Sequence, residues 1–147
     1  MNSTQEYQNW LALTAGNAQE QQELRALEND LGELEDRFYR ELSFGTAGLR
    51  GTMCTGLHQM NVHVIRHTTQ AFAEVVKAEG ADACAKGVAV CFDCRNHSAE
   101  FAKEAACVMA ANGIQVRLFE AMRPTPELSF AIRKYGCQAG INVTASH

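Results

Sequence analysis

The six residues GVAVCF, at positions 87–92, decide the fold that is predicted for this chain. A short apolar run that is rich in β-branched and aromatic residues and begins at a glycine is typical of a strand that is buried on both faces. Strands of this kind belong to parallel sheets whose faces are covered by helices. We therefore predict that 87–92 is a strand of such a sheet.

The sequence that follows this strand alternates between helical and strand patterns. Residues 98–112 have apolar side chains at helical spacing and end before Gly113, whereas 114–119 and 139–143 are short apolar strands. Between these strands, Thr125 is predicted to cap a helix that has Pro126 at its first position and closes at Gly136. Strands separated by helices of this length predict right-handed crossovers and a mainly parallel sheet.

The sequence before the central strand is mostly helical. We predict a first helix from Ser3 to about Leu13 and a helix that Asn61 caps and that ends near Gly80. A second apolar stripe is interrupted by Asn29, Asp30 and Gly32, so it predicts two short helices; its members are Leu24, Leu27, Leu31, Leu34 and Phe38. A strand is expected over 40–44. The predicted organisation is a helical lead-in with the first strand at 1–43 and an α/β domain at 44–147, which together form one structural domain.

Composition and charge restrict the possible functions. The chain has 147 residues, 46% of them hydrophobic, and a formal net charge of -4, which is unlike a nucleic-acid binder. No signal peptide and no apolar run of membrane-spanning length is evident, so we expect a cytoplasmic protein without a membrane partner. The six cysteines lie mostly in apolar segments, as buried free thiols of a reducing compartment do.

Ligands of parallel sheets bind beyond the carboxyl ends of the strands. Three segments are expected there, 93–97, 121–124 and 144–147. The last of these places Ser146 directly after a buried strand with His147 beside it. A serine hydroxyl in this position can accept and return a phosphoryl group if cationic groups neutralise the transferring oxygens.

Residues 45–51 form a glycine-rich loop, with three glycines among seven residues. Glycines let the backbone turn tightly and approach a ligand, and Arg50 in this loop has a charged, planar set of donors that suits a phosphate. The loop lacks the Gly-Lys-Ser/Thr ending of a Walker sequence, so it does not indicate a nucleotide site.

Four motifs occur in order along the chain: FGTAGLRG at 44–51, DCRNHS at 93–98, RPTPEL at 123–128 and TASH at 144–147. Together they resemble the α-D-phosphohexomutase superfamily, and more closely its branch of phosphoglucomutases and phosphopentomutases that carry the FGTAGLRG signature. The resemblance extends from Trp10 to His147. It implies a three-layer α/β/α sandwich with a mainly parallel but mixed four-stranded sheet, in which 40–44 runs opposite to the other strands.

The resemblance also implies roles for individual residues. Ser146 matches the serine that is phosphorylated in the resting enzyme, donates its phosphate to a sugar monophosphate and takes one back from a sugar bisphosphate. Its phosphate would supply one ligand to Mg²⁺. Arg50, Thr144 and His147 match positions expected to contact the phosphate, with Arg50 and His147 also taking catalytic roles. Asp93 and Arg95 match a strand-end Asp-x-Arg, for which we expect a structural salt bridge.

The activity implied is reversible phosphate transfer between carbon 1 and a terminal carbon of an aldose phosphate, with Mg²⁺ and a sugar 1,6-bisphosphate activator as cofactors. The family's Asp-x-Asp-x-Asp metal loop, its sugar-selecting loop and its C-terminal phosphate-binding domain have no counterpart among these residues. We therefore expect a fragment that works with the remaining domains of the same enzyme and has no mutase turnover by itself.

Two other interpretations remain open on the residues alone. One is a non-catalytic α/β binding module. The other is a thiol-redox or zinc domain, because Cys91 and Cys94 form a C-x-x-C at a strand end and His97 follows.

Overall fold

The computed structural model describes residues 2–46 and 48–144. The chain divides into two compact units, one that runs to Val64 and one that begins at Ile65. The division at residues 43 and 44, expected from the sequence, stays a prediction.

The first unit opens with three short helices: α1 (Ser3–Leu13), α2 (Ala18–Arg25) and α3 (Leu31–Phe38). Each begins at an N-cap side chain, on Asn2, Asn17 and Asp30 respectively, that accepts a hydrogen bond from a backbone N–H of the first turn. The first helix and the break of the second stripe into two helices are thus confirmed.

Phe38 lies at the centre of this unit's core. Its ring meets the rings of Tyr7 and Trp10 edge to face, with centroids 5.9 and 6.0 Å apart, and its side chain is completely buried. The other buried apolar members of this core are Leu24, Leu27, Leu34 and Val64. Leu31 was predicted to share the apolar stripe, but its side chain is 77% exposed. The chain breaks between α2 and α3, so the helical spacing does not continue across the break, and Leu31, the first residue of α3, faces away from the core.

The prediction of a strand over 40–44 is wrong in two respects, the length of the strand and the strand with which it pairs. Only β1 (Phe44–Gly45) is extended, and it pairs with β2 (Gly48–Leu49) in an antiparallel hairpin rather than joining the larger sheet. Residues 40–43 have no regular structure. Phe44 itself is 70% exposed, so no burial favours a longer strand here.

The remaining elements are α4 (Val62–Ala78), α5 (Ala81–Lys86), β3 (Val88–Phe92), α6 (Ser98–Ala111), β4 (Val116–Leu118), α7 (Thr125–Tyr135) and β5 (Ala139–Val143). Asn61 caps α4 as predicted, since its Oδ1 accepts a hydrogen bond from the N–H of Val64 at 3.1 Å. The short helix α5 was not predicted. Its first residue follows Gly80, which ends the preceding helix in a left-handed conformation.

Among the described residues, three strands form the main sheet in the order β4-β3-β5, and all pairs are parallel. This confirms the α/β class, the mainly parallel sheet and the strand predicted over 87–92, and it places that strand at the centre of the sheet. The four strands expected from the resemblance are reduced to three, because the segment at 40–44 pairs locally with β2 instead.

The strand β3 contributes to cores on both faces of the sheet, which explains its unbroken apolar run. Val88 and Val90 pack with residues of α4 and α6 on one face, whereas Ala89 and Cys91 pack with Leu128 of α7 on the other. The unit therefore has three layers, helix, sheet and helix, as predicted.

One helix boundary differs from the prediction. Pro124 is the N-cap of α7 and Thr125 is its first residue, so Thr125 does not cap the helix. The Thr125 hydroxyl is used elsewhere, as described below. The predicted stop at Gly136 is confirmed by its φ of 61°. No helix within the described part of the chain is long and apolar enough to span a membrane.

Candidate functional site

The three strands of the main sheet end at one edge, which we call the carboxyl edge. A cavity of about 340 Å³ opens there, between the ends of β3 and β5 and the beginning of α7. We call it the strand-end cavity; it is lined by Asp93, Arg123, Pro124, Thr125, Pro126, Asn142 and Thr144. Its position agrees with the expectation that ligands of this fold bind beyond the strand ends.

Asp93, the residue that follows β3, joins three segments through its carboxylate. Its Oδ1 accepts hydrogen bonds from the N–H of Arg95 at 2.9 Å and from the hydroxyl of Ser98 at 2.7 Å. Its Oδ2 accepts one from the hydroxyl of Thr144 at 2.9 Å. One carboxylate thus holds together the loop after β3, the first residue of α6 and the residue that follows β5.

The salt bridge expected between Asp93 and Arg95 is not what joins them. Their contact runs from the backbone N–H of Arg95 to the carboxylate, and the Arg95 side chain is exposed. This is the hydrogen bond of an Asx turn, in which an aspartate side chain accepts from the backbone N–H two residues further along the chain. The expectation that Asp93 shapes the strand end is nevertheless met by its three hydrogen bonds.

Arg123 and Asn142 complete the cavity; Arg123 belongs to the segment 121–124 that the sequence predicted at the strand ends, whereas Asn142 was not predicted to lie there. The N–H of Arg123 donates to the carbonyl of Phe92 at 3.1 Å, and its own carbonyl accepts from the Cys91 thiol at 3.3 Å. The Asn142 side chain donates to the Thr125 hydroxyl at 2.8 Å. For Asn142 the available signal was its position in the last strand, one residue before the strand ends, because parallel strands bring their carboxyl ends to a common edge.

Cys91 does not have the environment of a redox thiol. Its side chain is buried, and burial, followed by the negative charges of Glu127 and Asp93, raises the pKa of its thiol above the ordinary value. The thiolate that redox chemistry requires is therefore disfavoured, and Cys94 points to solvent instead. The thiol-redox interpretation loses its main support.

Metal ligands are not clustered in the described part of the chain. Residues 2–46 and 48–144 contain no group of three or more His, Cys, Asp or Glu side chains that could hold an ion. The zinc site considered from Cys91, Cys94 and His97 is thus not assembled. Asp93, the carboxylate of the strand-end cavity, already accepts three hydrogen bonds, so the described residues do not by themselves fit Mg²⁺ either.

Arg50 belongs to the first unit and directly follows β2. On one side of it, Leu49 packs against the aromatic core of that unit. On the other side, Gly51 lies so close to its surroundings that an added Cβ would come within 3.2 Å of the Leu42 side chain and of the Met60 nitrogen. The backbone is therefore held on both sides of Arg50 while its side chain remains exposed, as a ligand-binding cation requires.

The segment that follows Arg50 is held by an ion pair that the sequence did not predict. Oε1 of Glu23 on α2 lies 2.6 Å from Nη1 of Arg37 on α3. Glu23 also accepts hydrogen bonds from the N–H and the hydroxyl of Thr55, at 3.0 and 2.7 Å, and Arg37 donates to the Thr55 carbonyl. Burial raises the pKa of Glu23, but these hydrogen bonds and the positive charge of Arg37 outweigh burial and leave it below its ordinary value.

The predicted site residues are distributed as follows. Thr144 lies at the strand-end cavity of the second unit, and Arg50 lies on the loop of the first unit. Ser146 and His147 lie outside the described residues. The structure thus describes the segment that leads to the predicted nucleophile, and the roles of all four residues stay predictions.

A parallel α/β unit with a cavity at its strand ends defines a broad class of ligand-binding and catalytic domains. Comparison with known families narrows this class. Residues 41–147 match the model of the phosphoglucomutase/phosphomannomutase α/β/α domain I, and the chain belongs to this family.

Individual relatives agree with this membership. The chain is 38% identical to a phosphopentomutase of Homo sapiens over 126 residues, which are 82% of this chain and 21% of that protein. It is 41% identical to a phosphoglucomutase of Staphylococcus saprophyticus over 106 residues, which are 72% of this chain and 19% of that protein. The chain thus spans about a fifth of the length of these relatives. No solved structure matches it significantly.

Proposed function

We propose that this chain is the nucleophile-bearing part of a phosphosugar mutase, and that Ser146 carries the phosphoryl group. The family membership supports this proposal, as do the names of the relatives, which are phosphopentomutases and phosphoglucomutases. The observation that carries it is the bond from Thr144 to Asp93, because Thr144 lies two residues before Ser146 and is held at the carboxyl edge, where ligands of this fold bind.

The proposed reaction has two transfers. In the first, a hydroxyl oxygen of the sugar monophosphate forms a bond to phosphorus while the Ser146 Oγ–P bond breaks; the sugar hydroxyl gives up its proton and the serine oxygen takes one up. In the second, the Ser146 Oγ forms a bond to the phosphorus of the other phosphate while the bond from that phosphorus to the sugar oxygen breaks; the serine hydroxyl gives up its proton, the sugar oxygen takes one up, and the isomeric monophosphate leaves. Each transfer regenerates what the other consumes, so no net phosphate donor is needed.

The residues of this chain would contribute mainly position and charge, which are the chief sources of catalysis in phosphoryl transfer. Arg50, a permanent cation on a firmly held loop, suits the stabilisation of phosphate oxygens. His147 would orient groups beside the nucleophile. Since Thr144 is tied to Asp93, the approach to Ser146 would be constrained before substrate binds.

The resemblance that suggested this function also implies Mg²⁺ and a sugar 1,6-bisphosphate activator. We propose that the phosphate on Ser146 is this chain's ligand to the metal, and that other parts of the enzyme supply the remaining ligands. The metal would neutralise charge on the transferring oxygens. We also propose an aldose phosphate as substrate, a cytoplasmic location, and no turnover by this chain alone.

Phosphorylation of Ser146 is the direct test. The intact protein that contains this sequence, purified from its source cells, is expected to carry one phosphoryl group by mass spectrometry, and fragmentation should assign it to Ser146. A Ser146→Ala variant should lose both this phosphate and the interconversion of glucose 1-phosphate and glucose 6-phosphate. A Ser129→Ala variant, altered at an exposed serine of α7, should keep both. Normal turnover by the Ser146→Ala variant would contradict the proposal.

A further inference from the structure

The strand-end cavity has one cation among the lining residues that the structure describes, and that cation is Arg123. The other charged residue there, Asp93, accepts three hydrogen bonds and so has little capacity to bind an additional ligand. The chain as a whole is acidic, with a formal net charge of -4, so general electrostatic attraction does not draw anions to it. Among the lining residues that the structure describes, the Arg123 guanidinium is therefore the group that carries a positive charge for an anion.

The backbone of Arg123 is firmly positioned. Its N–H donates to the carbonyl of Phe92 at the end of β3, and its carbonyl accepts from the thiol of Cys91. Both bonds attach it to the central strand of the sheet. Because these contacts use only backbone atoms of Arg123, replacing its side chain leaves the attachment intact.

The guanidinium, by contrast, is held loosely. Its Nε lies 3.3 Å from Oε2 of Glu127. Its Nη1 donates a hydrogen bond to the carbonyl of Met122 at 3.0 Å. The side chains of Arg123 and Glu127 are 48% and 53% exposed, so their ion pair is well solvated and weak. A guanidinium has five N–H donors, and these two contacts leave donors available for a ligand.

We infer that Arg123 binds the phosphate group of a sugar phosphate at the strand-end cavity, and that Glu127 competes with this phosphate for the guanidinium. A phosphate monoester fits because it is dianionic and its oxygens accept hydrogen bonds, so that the planar guanidinium can donate to two of these oxygens at once. The uncharged part of the ligand meets Thr125, Asn142 and Thr144, whose hydroxyl and amide groups suit sugar hydroxyls. This inference rests on the proposed function for the identity of its ligand.

The experiment is a titration of the 147-residue chain with glucose 1-phosphate, followed by NMR through the side-chain amide of Asn142 and the backbone amide of Thr125. Arg123→Gln is expected to weaken binding about tenfold or more, because a charge-assisted hydrogen bond is lost. Glu127→Gln is expected to tighten binding up to about fivefold, because it removes a weak competing ion pair. Inorganic phosphate should compete with glucose 1-phosphate, whereas glucose should not shift these signals.

Arg133→Gln is the matched control. Arg133 lies on α7, the helix that begins two residues after Arg123. Its substitution by Gln changes the net charge by the same amount, and its side chain contacts Ser129 rather than the cavity. It should bind glucose 1-phosphate like the unaltered chain. Arg123→Lys keeps the charge but not the planar fork and should bind with intermediate affinity.

Several results would overturn the inference: unchanged affinity in Arg123→Gln, an equal loss in Arg133→Gln, or equal binding of glucose. Failure of the proposed function has a different signature. In that case Ser146 would carry no phosphate in the intact protein while glucose 1-phosphate still bound in an Arg123-dependent way. If instead Ser146 were phosphorylated and Arg123→Gln had no effect on binding, only the present inference would fail.

Discussion

The Thr144 hydroxyl donates a hydrogen bond to Oδ2 of Asp93 at 2.9 Å, and this bond joins the residues that follow β5 and β3. Since Oδ1 of the same carboxylate accepts from Ser98 and from the N–H of Arg95, the position of Thr144 depends on a network rather than on one pair. Networks of this kind are costly to interrupt because the donors left behind lose their acceptor.

Asp93→Ala should therefore lower the free energy of unfolding by about 2–3 kcal/mol, since three donors lose their partner. Thr144→Val should cost about 1 kcal/mol, and the double variant should cost less than the sum, because both changes remove the same bond. Urea denaturation measures all three. Asp82→Ala is the control: its side chain is 80% exposed in a surface pair with Lys86, and it should cost less than about 0.5 kcal/mol. Strictly additive effects would show that Asp93 and Thr144 are not coupled.

Glu23 should make the stability of the chain depend on pH in the acid range. Although burial raises its pKa, the hydrogen bonds from Thr55 and Arg37 lower it more, so the folded pKa lies below the ordinary value. A group with a lowered folded pKa contributes stability that is fully present above its unfolded pKa of about 4.3 and is lost as pH falls through the folded pKa.

Glu23→Gln tests this dependence. We expect it to cost about 1–2 kcal/mol at pH 7, and the difference from the unaltered chain should shrink below about pH 4 in urea denaturation. Glu35→Gln, at an exposed carboxylate on α3, should leave the pH profile unchanged. A constant difference between the two chains from pH 7 to pH 3 would contradict the assignment.

The cysteines should differ in reactivity according to their exposure. Cys94 and Cys107 are exposed, whereas Cys91 is buried and burial raises the pKa of its thiol. Iodoacetamide at neutral pH should therefore modify Cys94 and Cys107 first and reach Cys91 only after unfolding, because the thiolate is the reactive form. Peptide mapping by mass spectrometry follows each site. Equal rates at Cys91 and Cys94, or a disulfide between them that leaves the fold intact, would restore the thiol-redox interpretation.

Gly87 should be among the positions least tolerant of substitution. It has a φ of 69°, and an added Cβ would collide with the backbone carbonyl of Gln115, which accepts a hydrogen bond from Val88. Gly113 has a similar φ of 75° but nothing within 4 Å of its Cβ position. Gly113→Ala should thus cost about 1 kcal/mol through backbone strain alone, and Gly87→Ala about 3 kcal/mol or more. Similar melting temperatures for the two variants would show that the contact with Gln115 relaxes easily.

Much of the second unit was predictable from local pattern. The apolar run at β3, the proline near the start of α7 and the glycine that ends it each specify local structure directly. The parallel topology then predicts that residues 93 and 144 lie at one edge, as they do. Resemblance to the family added the expected nucleophile, whose position at 146 lies outside the described residues.

What the sequence did not predict depends on contacts between distant segments. Glu23 and Thr55 are 32 residues apart, and nothing in either neighbourhood indicates that they pair. Asn142 and Thr125 meet only because α7 packs beside β5. The expected strand at 40–44 failed for a similar reason, because whether an extended segment joins a sheet depends on which partner is available, and β2 is nearer in sequence.

The arrangement of the sheet also has a consequence for how the site is assembled. In the described part of the chain, β3 pairs with both β4 and β5, which do not pair with each other. Two parallel strands can pair only after the segment that connects them has folded back across the sheet. The strand β5 therefore takes its position by pairing with β3. In a nascent or partly unfolded molecule, the position of Thr144 would therefore not be fixed. The carboxyl edge could bind its ligand or support catalysis only after the whole unit has folded.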